Sequence, residues 1–200
     1  MAYKNHDLDG EIIRAATEEF LACGFEKASM RKIAAERGIT VGAIYTRYPS
    51  KDKLFSSLVQ PFVNQIKDLL VQLKTEYYKD ITKGSEYLVV AMEKETEAIM
   101  KLIYDNYTMA VLLMCRSKGS SMEDFFDILV EEKIKETQEF FNKGKQEKSP
   151  DERILKVLIR GQYRIYYHIV KEGYEQEEAK EIMKQLLVYS NGGWRALLSE

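Results

Sequence analysis

The amino-acid sequence predicts an all-α protein of about nine helices, and two observations support this fold class. Only 3 Pro and 11 Gly occur in 200 residues, and Glu, Lys, Leu, Ile and Ala dominate, so helix is favoured almost everywhere. Apolar residues such as Ile12, Ile13, Ala16 and Phe20 recur at helical spacing, whereas no segment makes a convincing strand. The hydrophobic fraction of 45% and the charged fraction of 31% are those of an ordinary globular protein.

Local signals place the first four helices. Their predicted ranges are 8–23, 29–38, 41–48 and 51–78. Ser29, Thr40 and Ser50 are the expected N-caps of the last three, because their side-chain oxygens can accept from the first free N–H groups of a helix. Gly24 and Pro49 are expected to end the first and third helices.

The fourth predicted helix contains Pro61, which is expected to bend it as a hinge or as a static bend. The fifth helix is predicted over residues 84–104, and a short sixth helix follows it up to residue 116. The seventh is predicted over residues 120–142. Ser120 and Glu123 have the spacing of a capping box, which places the start of the seventh helix.

The last two predicted helices are rich in apolar residues. Ser149, Pro150 and Glu152 are expected to supply the N-cap, the first position and the capping-box acid of the eighth helix, residues 151–171. This helix is apolar almost all round, so we expect it to be covered on several sides. The ninth helix follows Gly173 and carries an apolar stripe.

Basic charge is concentrated in one short block. Residues 27–53 carry seven Lys or Arg and two Asp or Glu, a net charge of +5, although the whole chain has a net charge of -2. Such a block favours an anionic partner, but the charge by itself is equally typical of a solvated face.

Other classes of function receive little support. The N-terminus lacks a signal peptide and no apolar run approaches the roughly 18 residues of a membrane span, so we expect a cytoplasmic protein without membrane contact. Cys23 and Cys115 are expected to be reduced thiols, and with only His6 and His168 we expect no metal site. Without a phosphate-binding glycine loop or a triad-like histidine, we expect neither a cofactor nor an enzyme.

Helices two and three are joined by a Gly-Ile-Thr turn at residues 38–40. A glycine-containing turn between two short helices is typical of a helix-turn-helix, whose second helix presents its N-terminal end to the major groove of DNA. Gly42 would allow a close approach to the bases, Ile44 would anchor the helix in the core, and Arg47 would point outward to read a base. Lys51 would contact a phosphate at the start of the next helix.

Residues 12–55 read IIRAATEEFLACGFEKASMRKIAAERGITVGAIYTRYPSKDKLF. The residues that carry a recognisable family pattern are Ile13, Ala15, Ala16, Phe20, Gly24, Phe25, Ser29, Ile33, Ala34, Gly38, Ile39, Thr40, Gly42, Tyr45, Tyr48, Ser50, Lys51, Leu54 and Phe55. With these residues in this order, the segment resembles the tetracycline-repressor (TetR) family of bacterial transcription regulators. Ile-Thr stands where the family has Val-Ser, and Tyr48 where Phe is usual.

The resemblance implies a homodimer in which residues 1–50 of each subunit form a DNA-binding domain and bind half of a palindromic operator in double-stranded DNA. Combined with the helix-turn-helix pattern, it predicts a set of DNA-binding residues on the second, third and fourth helices. They are Ser29, Arg31, Thr40, Val41, Gly42, Ala43, Tyr45, Thr46, Arg47, Tyr48 and Lys51.

The resemblance also implies that residues 51–200 bind an unidentified small-molecule effector and dimerise through the last two helices. Effector binding would move the fourth helix and change the separation of the two DNA-reading helices. We therefore predict a repressor that a small molecule releases from DNA. The alternative is a regulator without an inducer, whose C-terminal domain only dimerises or binds a protein partner.

Aromatic and apolar residues give candidates for both C-terminal roles. The candidate pocket residues are Tyr104, Tyr107, Met114, Tyr163, Tyr166 and Tyr167. The candidate dimer-interface residues are Ile159, Met183, Leu186, Gly193, Trp194 and Leu197. Aromatic residues at helical spacing are more often part of a packed core than of a pocket.

Overall fold

A computed structural model describes residues 5–79, 85–143 and 150–199, and within these residues the chain is all-α. Its helices are α1 (Asn5–Lys27), α2 (Met30–Glu36), α3 (Val41–Arg47), α4 (Lys51–Lys79), α5 (Ser85–Asp105), α6 (Tyr107–Cys115), α7 (Phe125–Lys143), α8 (Glu152–Glu172) and α9 (Gln176–Ser199). Nine helices and no strand occur in the described part of the chain, so the predicted fold class is confirmed.

Helix α1 is longer than predicted but breaks at the predicted glycine. Gly24 has φ 76° and ψ 164°, in the left-handed region that favours glycine, so the last residues of α1 form a separate turn beyond a kink. The N–H of Phe25, directly after the kink, donates to the carbonyl of Arg116 at 2.8 Å. The kink therefore joins the end of α1 to the segment after α6.

The turn before α7 differs from the predicted capping box. The Glu123 carboxylate accepts from the Gly119 N–H at 2.8 Å, and the Ser120 hydroxyl oxygen accepts from the Met122 N–H at 3.1 Å. The helix begins only at Phe125. The predicted role of Ser120 as a helix N-cap is wrong, because its side chain closes a local turn instead.

The start of α8 also differs from the prediction. Its N-cap is Asp151, whose carboxylate accepts from the Arg153 N–H at 2.8 Å, and the helix begins at Glu152. Hydrogen bonds from Arg153 hold the pKa of the Asp151 carboxyl below its usual value. Pro150 precedes the cap rather than occupying the first helical position, and the predicted cap Ser149 lies outside the described residues.

The chain divides into two compact units. The first contains residues up to 63 together with 107–125, and the second contains residues 64–106 and those from 126 onward. The first unit is therefore larger than the predicted DNA-binding segment, because the beginning of α4 and all of α6 belong to it. Pro61 lies within α4, close to the boundary between the units.

The first unit is built around three phenylalanines. The Phe20 and Phe55 rings meet edge to face with centroids 5.0 Å apart, and Phe25 lies 5.4 Å from Phe55. Ile33 of α2 and Ile44 of α3 are completely buried in the same unit. Apolar residues on one face thus fix the orientation of each of the helices α1, α2 and α3.

The second unit has two buried clusters. One contains Val89, Phe140, Phe141, Leu155 and Trp194, which come from α5, α7, α8 and α9. The other contains Val130, Ile134 and Ile159, with Tyr163 packed against it.

The sequence led us to expect that α8 is covered on several sides. Within its unit this expectation is wrong. Leu155, Ile159 and Ile169 are buried, but Val157 is 70% exposed and Leu158 is 40% exposed. The apolar residues of α8 therefore form a buried face and a second face that is open to solvent in the single chain.

No single described helix is both long and apolar enough to span a membrane, although Val89–Asp105 and Tyr107–Cys115 together meet the length and composition expected of a span. Among the residues described, no group of three or more His, Cys, Asp or Glu side chains is placed to hold a metal ion.

Candidate nucleic-acid interface and effector cavities

The turn between α2 and α3 has the geometry that its sequence predicts. Gly38 has φ 63°, and the following Ile39 N–H donates back to the Ala34 carbonyl at 2.9 Å. Thr40 has an extended backbone, and its side-chain oxygen accepts from the Ala43 N–H at 3.2 Å. The predicted N-cap of α3 is thus confirmed, and it fixes the direction in which α3 leaves the turn.

Helix α3 presents a polar face to solvent, which we call the α3 face: Thr40, Gly42, Tyr45 and Thr46. All four are exposed, whereas Ile44 on the opposite side is completely buried. A Cβ atom placed on Gly42 would meet nothing within 4 Å, so the surface beside it is open. Two more of the predicted DNA-binding residues, Val41 and Ala43, are half-buried at the edge of this face.

Arg47 does not lie free on the α3 face. Its guanidinium pairs with the carboxylate of Asp9 on α1, and a longer hydrogen bond of 3.4 Å reaches the Ala43 carbonyl. The Arg47 side chain is only 22% exposed. The predicted outward orientation of Arg47 is therefore wrong for this structure, because an acidic residue 38 positions earlier binds it.

Lys51 likewise has a different environment from the predicted phosphate contact. Its ammonium group donates to the carbonyls of Phe25, Glu26 and Ala28 at 2.6, 3.1 and 3.1 Å, and it lies 4.5 Å from the centre of the Phe25 ring. Three hydrogen bonds use all the N–H groups of an ammonium. In this structure Lys51 joins the start of α4 to the end of α1 and is occupied by the protein itself.

Tyr48, one of the predicted DNA-binding residues, follows α3 and packs toward the protein. It is half-buried, and burial is the main reason that the pKa of its hydroxyl is raised, with Asp9 adding to the effect. A hydrogen bond with Ser57 of α4 acts in the opposite direction. Tyr48 thus connects the end of α3 to α4.

The two predicted DNA-binding residues near α2 differ in their surroundings. Ser29 occupies the N-cap position, but its side chain makes no capping hydrogen bond, and its N–H donates to the Glu19 carboxylate at 3.0 Å. Glu19 of α1 thus binds the backbone of the N-cap residue, and the Ser29 side chain does not cap α2. Arg31 is exposed on the first turn of α2.

Three of the seven basic side chains in residues 27–53 are already bound within the protein. Arg37 pairs with Glu11 and Glu18 of α1, and Arg47 and Lys51 are bound as described above. The remaining four basic side chains of the block are exposed and have no ion pair within the described part of the chain. They are Lys27, Arg31, Lys32 and Lys53.

The start of α4 is held by an interaction that the sequence did not indicate. The Asp52 carboxylate accepts from the backbone N–H and the hydroxyl of Ser121, at 2.7 and 2.8 Å. Ser50 caps α4 as predicted, since its oxygen accepts from the Lys53 N–H at 3.1 Å. The helix that follows the α3 face is therefore fixed at its first turn from two directions.

The second unit contains a small, partly open cavity of about 40 Å³ beside a buried ion pair. Glu95 pairs with Lys133, and the Tyr163 hydroxyl donates to the same carboxylate at 3.1 Å. Apolar walls come from residues such as Phe140 and Trp194. Of the predicted pocket residues, Tyr163 lines this cavity.

A much larger cavity, about 700 Å³, lies between α5 and α9. Tyr104 lines it, and the Tyr104 hydroxyl donates to the Tyr174 carbonyl at 2.7 Å. Tyr166 is buried and donates to Thr96, which also lines this cavity. Burial is the main reason that the pKa of the Tyr166 hydroxyl is strongly raised.

The other predicted pocket residues lie elsewhere. Tyr107 and Met114 are on α6 in the first unit, and Tyr167 is half-buried on α8. None of the three lines either of the two cavities described. Their assignment to a pocket stays a prediction.

The predicted dimer-interface residues fall into two groups. Ile159, Met183 and Trp194 are buried inside the second unit, so they are core residues of the single chain rather than surface. Leu186 and Leu197 are half-buried and Gly193 is exposed. The interface assignment of the first three needs correction, because apolar periodicity does not distinguish a core face from a face that meets a second subunit.

Comparison with known proteins gives one family. Residues 12–58 match bacterial regulatory proteins of the tetR family. Over 82 residues, or 41% of its length, the chain is 27% identical to the uncharacterized HTH-type transcriptional regulator YdgC of Bacillus subtilis (strain 168), and the match spans 42% of that relative.

Solved structures share the fold over almost the whole chain. NalD, the secondary repressor of the MexAB-OprM multidrug efflux pump in Pseudomonas aeruginosa, has a TM-score of 0.61 with 18% identity, over 94% of this chain and 97% of NalD. FadR of Bacillus subtilis, in complex with stearoyl-CoA, has a TM-score of 0.55 with 17% identity, over 94% of this chain and 97% of FadR.

The segment that forms the helix-turn-helix therefore matches the tetR family, and the chain shares the all-α fold of these solved regulators.

Proposed function

We propose that the protein is a homodimer that binds a palindromic operator through the α3 face and leaves it when a small molecule binds to residues 51–200. The observation that carries the DNA-binding half of this proposal is the geometry of α3. A capped helix of seven residues exposes a threonine, a glycine and a tyrosine on one side and buries Ile44 on the other. Such a helix can enter the major groove while its buried side holds its orientation.

The four exposed basic residues, Lys27, Arg31, Lys32 and Lys53, support contacts with DNA phosphates. Arg47 is proposed to exchange Asp9 for DNA on binding. Lys51 is proposed to act indirectly, because its bonds to the carbonyls at the end of α1 keep α4 in place.

Exposed apolar side chains on the last two helices support a homodimer. Ile154, Val157 and Leu158 are exposed on α8, and Tyr189 is 83% exposed on α9. Large exposed apolar groups of this kind are typical of protein interfaces. The second copy would bring its α3 to the next major groove, about 34 Å along the DNA.

A small-molecule effector is supported by the cavity of about 700 Å³ in the second unit. The solved FadR relative contains stearoyl-CoA, and NalD represses a drug efflux pump, so both support a response to small molecules in this fold. The cavity of about 40 Å³ favours the alternative, a regulator without an inducer, since it holds at most a water or two.

The proposal is tested by gel shifts with DNA from around the protein's own gene, at several salt concentrations, together with sedimentation of the free protein. We expect a palindrome-specific complex with two chains per palindrome, weakened steeply by salt because phosphate contacts release counterions. A folded monomer, or equal binding to scrambled DNA at moderate salt, would sink the proposal. As a DNA-binding regulator the protein would act in the bacterial cytoplasm and would not be an enzyme.

A further inference from the structure

The cavity between α5 and α9 has the size of a ligand site. Its volume of about 700 Å³ lies within the roughly 300–1,000 Å³ typical of small-molecule pockets. The cavity beside Glu95 differs, because it measures only about 40 Å³ and its polar wall is already paired through Lys133 and Tyr163. The volumes therefore favour the α5–α9 cavity as the place where a ligand fits without rearrangement.

Two buried polar side chains line the α5–α9 cavity. Asn191 of α9 is only 8% exposed, and no hydrogen-bond partner for its side-chain amide is found among the described residues. Thr96 of α5 is 1% exposed, and its oxygen accepts from Tyr166 at 3.2 Å and from Gln162 at 3.4 Å. A buried amide without a partner is costly, so it favours a ligand that supplies the missing hydrogen bond.

The rest of the wall consists of apolar residues and of equal numbers of acidic and basic residues. Met100 of α5 and Met183 of α9 are buried, and Leu187 of α9 also lines the cavity. Flexible methionines adapt to ligands of varied shape. The charged lining residues are three acids and three lysines: Glu93, Glu97, Asp105, Lys101, Lys180 and Lys184.

Because the charges cancel and the buried polar groups are neutral, an ionic ligand gains no net attraction from this wall. We propose that the α5–α9 cavity binds an uncharged amphipathic small molecule, with an apolar body against Met100, Met183 and Leu187 and a carbonyl or hydroxyl group hydrogen-bonded to Asn191. As the identity of the effector site, this proposal rests on the proposed function, but binding itself does not depend on it.

The test uses two uncharged fluorescent probes with the full-length protein. Nile red carries a carbonyl group, whereas 1,6-diphenylhexatriene is a pure hydrocarbon. Asn191→Leu keeps the side-chain size but removes the amide, and Leu187→Trp places a bulkier side chain in the cavity. Gln185→Leu is the matched control, because it makes the same kind of change on an exposed residue of α9 that does not line the cavity.

We expect saturable binding of both probes by the wild type. Asn191→Leu should weaken Nile red by about tenfold, the loss of one hydrogen bond in a buried site, and leave diphenylhexatriene unchanged. Leu187→Trp should weaken binding of both probes, because its larger side chain narrows the cavity, and Gln185→Leu should change neither. Equal binding by all four proteins would overturn the proposal, as would a wild type that binds neither probe.

Circular dichroism of each variant shows whether it is folded, and Asn191→Leu still tests the site if Leu187→Trp does not fold. The same samples are then assayed for operator binding without a probe. A wild type that binds the operator but neither probe contradicts only the cavity proposal. Probe binding by a protein that recognises no operator contradicts only the proposed function.

Discussion

The ion pair between Arg47 and Asp9 gives the sharpest prediction about the DNA interface. If Arg47 must leave Asp9 to reach DNA, then each binding event loses that pair. The two side chains are 22% and 52% exposed, and partly exposed pairs of this kind contribute roughly 0.2–1 kcal/mol. Asp9→Asn removes this cost, so we expect operator affinity to rise by a factor of about 1.4–5.

Charge alone would also increase affinity, because Asp9→Asn removes one negative charge near DNA. Glu18→Gln is the matched control, since it removes one charge from the same helix and one of the two carboxylates that pair with Arg37, while Arg47 keeps its partner. The gain from Asp9→Asn beyond that of Glu18→Gln measures the release of Arg47.

The assay is a fluorescence anisotropy titration with operator DNA, read as a double-mutant cycle. Arg47→Ala alone should weaken specific binding by about 1–3 kcal/mol and relax one operator position. In the Arg47→Ala background, Asp9→Asn should give no more than the control. If Asp9→Asn weakens operator binding in the wild-type background, the pair is structural and the reasoning is refuted.

Three further predictions concern stability and assembly. Lys51→Met should lower the free energy of unfolding by about 2–3 kcal/mol in urea titrations, because three carbonyls lose a charged donor, and an unchanged midpoint would contradict this role. Thr40→Ala should cost about 1 kcal/mol by the same measurement through loss of the α3 cap, and Thr40→Ser should restore it. Val157→Asp should shift a dimer toward monomer in sedimentation, whereas the equally exposed Val71→Asp on α4 should not. If both variants became monomers, or if neither did, the interface on α8 would be contradicted.

The helix-turn-helix could be predicted because its signals are local. Gly38 supplies the left-handed turn, Thr40 caps α3, and Ile44 marks the buried side. Each depends on residues within a few positions along the chain, where propensity and capping act.

The partners of Arg47 and Lys51 could not be predicted in the same way. Asp9 is 38 positions from Arg47, and the carbonyls bound by Lys51 are 23 to 26 positions away. Both residue types suit DNA contact equally well, so only the tertiary structure shows that the protein already uses them. The sequence signal is the acidic character of α1, whose carboxylates precede the basic block along the chain and pair with it in the structure.

The C-terminal part was harder to predict because apolar residues there serve more than one surface. Trp194 was expected at a dimer interface, yet it is 4% exposed inside a core cluster, so a charged residue there would unfold the unit rather than test assembly. Val157, two positions from the buried Leu155, is the exposed one. Periodicity identifies apolar faces but not what covers each face.

The central claim is that the α3 face reads a specific DNA sequence. The most direct measurement is the ratio of affinities for the operator and for scrambled DNA of equal length, at one near-physiological salt concentration, for the wild type and for Thr46→Ala combined with Tyr45→Ala. We predict a wild-type ratio of about 10³ or more that falls toward 1 in the variant, while its binding to scrambled DNA changes little. A variant that keeps the wild-type ratio would contradict the account.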